Sequence, residues 1–181
     1  NGCVNTASIL ITVNTLPVVS ATSNDTDNAI CENDEITLNG AGATGYTWDK
    51  GVNDGTAFVP TGTDTYTVTG TDANGCVNTA SILITVNTLP VANISTTGTD
   101  LDYCENTTAT LTADAGGLTY DWFKDQDPTT GSTDGTGNPF TLATAGDWTA
   151  KVVDANGCES ISNTVTVVET KDVVAARKFV C

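Results

Sequence analysis

The chain has 181 residues and a formal net charge of -16, with 22 acidic residues against 6 basic ones. Such a surface repels phosphates, which argues against nucleic acid and anionic membranes as partners. Threonine makes up about a fifth of the chain, there is no His and no Met, and no apolar run approaches the ~20 residues of a membrane-spanning helix. Thr and Val favour strands, while the abundant Gly, Asn and Asp favour turns, so the composition is all-β.

The chain opens on NGCVNTASILITVNTLPV, Asn1–Val18, and the same eighteen residues return at Asn74–Val91. This offset defines a repeat. Residues 1–14 read as the last strand of a preceding repeat, 15–87 as repeat one, 88–168 as repeat two, and 169–181 as the first strand of a following repeat or a tail. The chain is thereby expected to be a window on a longer array.

Within repeat one, SNDTDNAICENDE gathers Asp25, Asp27, Glu32, Asp34 and Glu35. Calcium takes six to eight oxygens from such flexible carboxylates, although the spacing is not that of an EF-hand loop. Solvated acidic turns are the simpler reading. GYTWDK places Trp48 on an expected third strand, facing the core. TYTVTGT alternates, with Tyr66 and Val68 on one face and threonines on the other. DANGC then carries Asn-Gly between two strands, a strong hairpin signal, with Asp72 as the turn residue. In ASILITVN, Ala80, Ile82, Ile84 and Val86 share one face. Pro90, like Pro17, marks the passage from one repeat to the next.

Repeat two aligns piece by piece. CENTTATLTA answers CENDEITLNG, TYDWFK with Trp122 answers GYTWDK, and DWTAKVVDANGC with Trp148 and Asp154 answers TYTVTGTDANGC. About nine additional residues fall in QDPTTGSTDGTGNP, where Asp125, Asp127 and Asp134 form the second acidic loop. About seven short strands per repeat point to tandem immunoglobulin-like β-sandwiches. Trp48, Trp122, Tyr66 and Trp148 are expected in their cores, against the alternative of indoles exposed for sugar stacking in a carbohydrate-binding module.

Six cysteines without metal-ligand spacing suggest disulfides and an oxidising compartment. In a seven-strand sandwich Cys31 and Cys76 fall at opposite ends, too far apart for a bond. Cys31 is then placed to meet Cys158 at the junction of the two repeats. A strand count wrong by one would instead allow Cys31–Cys76 and Cys104–Cys158. Cys3 and Cys181 would pair beyond this window or with another chain.

The order of Cys and T-L, then Y-x-W, then YTVT-x-TDANGC, NTAS-ILITVN and LP resembles the Ig-like and PKD-like repeats of very large surface proteins of Bacteroidota. These include gliding adhesins exported by type IX secretion. The resemblance implies an extracellular, cell-surface stalk or adhesin segment without catalytic activity, partnered by neighbouring repeats of the same protein. No histidine is present for general-base work, and no nucleophile, P-loop or dinucleotide motif appears. The expectation is a structural spacer with no cofactor beyond possible calcium. The alternative is a filament protomer that self-associates by strand exchange and disulfides.

Overall fold

A computed structural model describes residues 1–96, 102–104 and 107–170. Expectations for Lys171–Cys181, including Cys181, lie outside the described residues. The chain divides into two compact units, Asn1–Val86 and Asn87–Cys181. The fold is all-β, immunoglobulin-like, and no helix of the described residues is long and apolar enough to cross a membrane.

The first unit contains β1 (Ser20–Ser23), β2 (Ala29–Cys31), β3 (Ile36–Ala41), β4 (Gly45–Trp48), β5 (Ala57–Phe58), β6 (Asp64–Thr71) and β7 (Val77–Asn87). One sheet has the order β1-β3-β5 and the other β2-β7-β6-β4. Alternation makes this a sandwich. Ile36 and Leu38 of β3 face Trp48, Tyr66, Val68 and Ile84 of the opposite sheet, with Ile30 beside them, and all seven are buried. Their polar neighbours face outward, as period-two strands require. Trp48 lies on the fourth strand rather than the third, because the short β2 adds a strand before β3.

β6 and β7 form a long antiparallel ladder, from Asp64 opposite Ile84 to Thr71 opposite Val77. The turn between them is built by Asp72. Its Oδ1 accepts the N–H groups of Asn74 at 2.9 Å and Cys76 at 2.8 Å, and Gly75 supplies the positive φ of 80° that the turn needs.

The second unit contains β8 (Ile94–Thr96), β9 (Asp102–Cys104), β10 (Ala109–Ala113), β11 (Thr119–Lys124), β12 (Gly135–Thr136), β13 (Phe140–Leu142), β14 (Gly146–Val153), β15 (Glu159–Ile161) and β16 (Val165–Thr170). Its sheets run β13-β10-β8 and β12-β11-β14-β16-β9, with β15 also on β14. The Asp72 turn recurs: Asp154 Oδ1 accepts from Asn156 at 2.8 Å and Cys158 at 2.9 Å.

The additional residues of this unit carry β12, which pairs with β11. They also change how the core tryptophan is satisfied. In the first unit Trp48 Nε1 donates to Asp54 Oδ1 at 2.8 Å. In the second, Trp122 Nε1 donates to the Gly137 carbonyl at 2.7 Å. Asn138 then holds both backbone groups of Ala113, at 3.0 and 2.9 Å. A buried indole N–H needs a partner, and the insertion provides a carbonyl where the first unit uses a carboxylate.

Asn1–Asn14, expected as the last strand of a preceding repeat, joins no strand of the described residues. Residues 1–19 form no strand, and Asn1–Leu16 is exposed throughout. The physical reason is the missing partner: β7 has β6 and β2 on its flanks, whereas this copy has no strand on either side.

Candidate functional site

The chain's polar clusters, aromatics, cysteines and exposed apolar chain are the places where function can reside. The first acidic loop ties its carboxylates to its own backbone. Asp25 Oδ1 accepts from the N–H groups of Asp27 and Ala29, both at 3.2 Å, and Asp27 Oδ1 from Ala29 at 3.1 Å. Hydrogen bonding with Asp27, ahead of that with the backbone of Ala29, holds the Asp25 carboxyl below the usual aspartate range. Asp34 Oδ2 accepts from Cys31 N–H at 3.3 Å, while Glu32 is exposed.

The second acidic loop behaves alike. Asp125 Oδ1 accepts from Asp147 N–H at 2.7 Å. Asp127 Oδ1 accepts from the hydroxyl and N–H of Thr129, at 2.6 and 2.8 Å, and those bonds lower its pKa. Asp134 Oδ2 accepts from Lys124 N–H at 2.7 Å and Gln126 Nε2 at 2.6 Å. Asp125, Asp127 and Asp147 border an open hollow of about 440 Å³ with Thr149 and Thr164. Among the described residues, no group of three or more Asp, Glu, Cys or His side chains converges as metal ligands. These carboxylates act as loop caps.

Trp48, Trp122, Trp148 and Tyr66 are all buried. Phe140 stacks on Trp122 with centroids 5.3 Å apart and tilts against Trp148 at the same distance. None of the three indoles has a free face for a sugar ring, which corrects the carbohydrate-stacking alternative. Sequence reading missed Tyr46 and Tyr120 as structural latches. Tyr46 Oη donates to the Ala43 carbonyl at 2.7 Å and accepts from Ala43 N–H at 2.8 Å. Tyr120 Oη donates to the Asp114 carbonyl at 3.1 Å and accepts from Gly117 N–H at 2.9 Å. Their matched places before the Trp, in GYTW and TYDW, were the available signal.

Cys31, Cys104 and Cys158 are disulfide-bonded, whereas Cys3 and Cys76 carry free thiols. The Cys31–Cys76 alternative is therefore corrected. Geometry gives the reason: Asn28, three residues before Cys31, accepts through its carbonyl from Thr85 N–H at 2.8 Å. Cys76 lies nine residues before Thr85 along an extended strand, roughly 30 Å away. Cys104–Cys158 fails likewise. Cys104 lies opposite Thr170 in β9 and β16. Cys158 lies past the other end of β14, about ten residue steps or 30 Å along the sheet.

The remaining feature is apolar. Val4, Ile9, Leu10, Ile11, Val13, Leu16 and Val18 are all strongly exposed within one segment.

Residues 90–171 match the family model described as "Ig-like domain CHU_C associated". No curated protein matches in sequence. Solved structures do match. Murine CEACAM1b aligns at 15% identity and a TM-score of 0.37, over 84% of this chain and 100% of that one. A 1.5-MDa bacterial ice-binding adhesin aligns at 13% identity and 0.37, over 87% and 66%. The D00–D0 domain of Intimin aligns at 15% identity and 0.33, over 83% and 100%. With its two facing sheets and its buried tryptophan, the second unit is similar over residues 90–171 to the CHU_C-associated Ig-like domain.

Proposed function

We propose that this chain is a non-catalytic spacer segment of an extracellular bacterial surface adhesin, holding a binding region away from the cell. The observation that carries the reading is repetition. The two modules repeat the same sandwich, the same Asp-capped turn and the same buried tryptophan. Their carboxylates are committed to their own loops rather than converged on a ligand. Copying a folded module adds length without adding chemistry. The family match of residues 90–171 and the disulfides at Cys31, Cys104 and Cys158 support an oxidising, extracellular setting.

The test is immunogold labelling of intact and permeabilised source cells with antibody against this chain, paired with a competition assay. Label on intact cells, together with purified chain that leaves cell adhesion unchanged, is the expected result. Label confined to permeabilised cells would remove the surface assignment. Purified chain that blocks adhesion would make it a binding module instead of a spacer.

A further inference from the structure

β4 of the first module and β11 of the second carry matched sequences, GYTW and TYDW. Each pairs on one side with a long strand, β6 or β14. What lies on the other side differs. Beside β11 the additional residues lay down β12, with Trp122 opposite Gly135. There the Tyr120 carbonyl accepts from Gly137 N–H at 3.0 Å and the Trp122 carbonyl from Asp134 N–H at 2.8 Å. The first module lacks those residues, and β4 ends the sheet β2-β7-β6-β4.

Alternation decides which groups of β4 face the open side. Asp49 N–H donates to the Thr67 carbonyl at 3.0 Å, and in an antiparallel ladder every second residue bonds the same neighbour. Gly45 and Thr47 therefore bond β6, opposite Thr71 and Thr69. Tyr46 and Trp48 turn their N–H and C=O away from β6. Among the described residues, no backbone group takes the place on β4 that Gly137 and Asp134 take on β11. Asp54 satisfies the Trp48 indole with its side chain, at 2.8 Å. Gly55 N–H goes to the Leu38 carbonyl of the other sheet, at 2.9 Å. The loop after β4 thus serves the core and β3, and hands no strand to the β4 edge.

We propose that the open edge of β4 takes an extended, basic segment of another protein as an added strand, in the place that β12 holds in the second module. The covered edge of β11 shows that this position accepts one more extended backbone. Main-chain bonds to Tyr46 and Trp48 supply affinity and register. The charge of the partner follows from the rim. Asp49 follows Trp48, Asp54 is bonded to its indole, and both are exposed. Lys50, the neighbouring cation, is held by Asp64 at 2.5 Å and by the Thr65 carbonyl at 2.7 Å. With a net charge of -16, a second copy of this chain is repelled from the edge and a lysine-bearing strand is drawn to it. Flanking charges ordinarily protect an edge from pairing, and here they also fix the sign of the partner. The proposal does not depend on the spacer reading.

The test is hydrogen exchange of the full chain, read at single amides by NMR, with a peptide of about ten residues that alternates Thr and Lys. Saturating peptide is expected to slow exchange at Tyr46 and Trp48 about tenfold. Tyr120 and Trp122 are expected to stay unchanged, because β12 already covers their edge. The same peptide with N-methylated backbone amides keeps its charge, loses its donors and is expected to change nothing. A peptide of equal length that alternates Thr and Glu is expected to change nothing either. No slowing at Tyr46 and Trp48 with the lysine peptide overturns the proposal. Equal slowing by the N-methylated peptide overturns strand addition, and equal slowing by the glutamate peptide overturns the choice of a basic partner. Slowing that grows with chain concentration in the absence of peptide makes the occupant a second copy, and overturns it too.

Discussion

The two copies of NGCVNTASILITVNTLPV form a controlled comparison that the molecule makes on itself. Intrinsic propensity is identical in both, residue for residue. One copy becomes an eleven-residue strand with eight cross-strand pairs to β6. The other forms no strand. The difference is the presence of β6 and β2 on either side. Strand propensity measures how well a side chain fits a pleated surface already there, and an unpaired β-segment leaves its backbone groups to water.

Four experiments bear on that comparison, from the largest effect to the smallest. Ile84→Ala removes a fully buried side chain and is expected to lower the stability of the first module by about 2–5 kcal/mol. The same change at Ile11 is expected to stay within about 0.5 kcal/mol. Denaturant unfolding of both variants checks it. Equal effects would mean that the first copy also packs against a partner.

The second pair is Asn78 and Asn5. Asn78→Ala loses the bond to the Pro17 carbonyl and is expected to cost about 1 kcal/mol, with Asn5→Ala near zero by the same measurement. Third, alkylation followed by peptide mapping is expected to label Cys3 fastest and Cys76 more slowly. Cys3 is exposed and Cys76 half-buried. Cys31, Cys104 and Cys158 are expected to stay unlabelled without reductant. Labelling of Cys31 together with Cys76 would contradict the assignment.

The smallest effect concerns acid. The folded-state pKa values of Asp25 and Asp127 are depressed, by hydrogen bonding with Asp27 and Thr129 respectively. Depressed carboxyl groups stabilise the fold above the ordinary aspartate value and lose that contribution as pH falls through the folded value. Both modules are therefore expected to weaken slightly below about pH 4. Asp25→Asn is expected to flatten the pH dependence of the first module alone. The first copy of the repeat has no carboxylate side chain to contribute.

Much of the fold was legible because its signals are local. Alternation in TYTVTGT and ASILITVN gave the inward faces of β6 and β7. The Asp72 and Asp154 turns followed from DANGC, where a short side chain bonds amides two and four residues on. The placement of Trp48 on a third strand failed because AIC is only three residues long, too short to carry a period. In sequence the carboxylates of the acidic loops read as solvated turns, with no partners assigned. Only folded loop geometry directs Asp125 to Asp147 and Asp134 to Lys124. The pairing of Cys31 with Cys76 was open in sequence and is closed by strand length.

By itself the sequence determined the module: its alternating faces, its Asp-capped turn, its aromatic core residues and the fact of repetition. Those are properties of neighbours in the chain, set by side-chain period and turn chemistry. The tertiary structure decided which copy of ILITV is a strand, which thiols are bonded and where each carboxylate is committed. Each of those depends on groups brought together from distant parts of the chain, and identical local sequence carries no information about who those partners are.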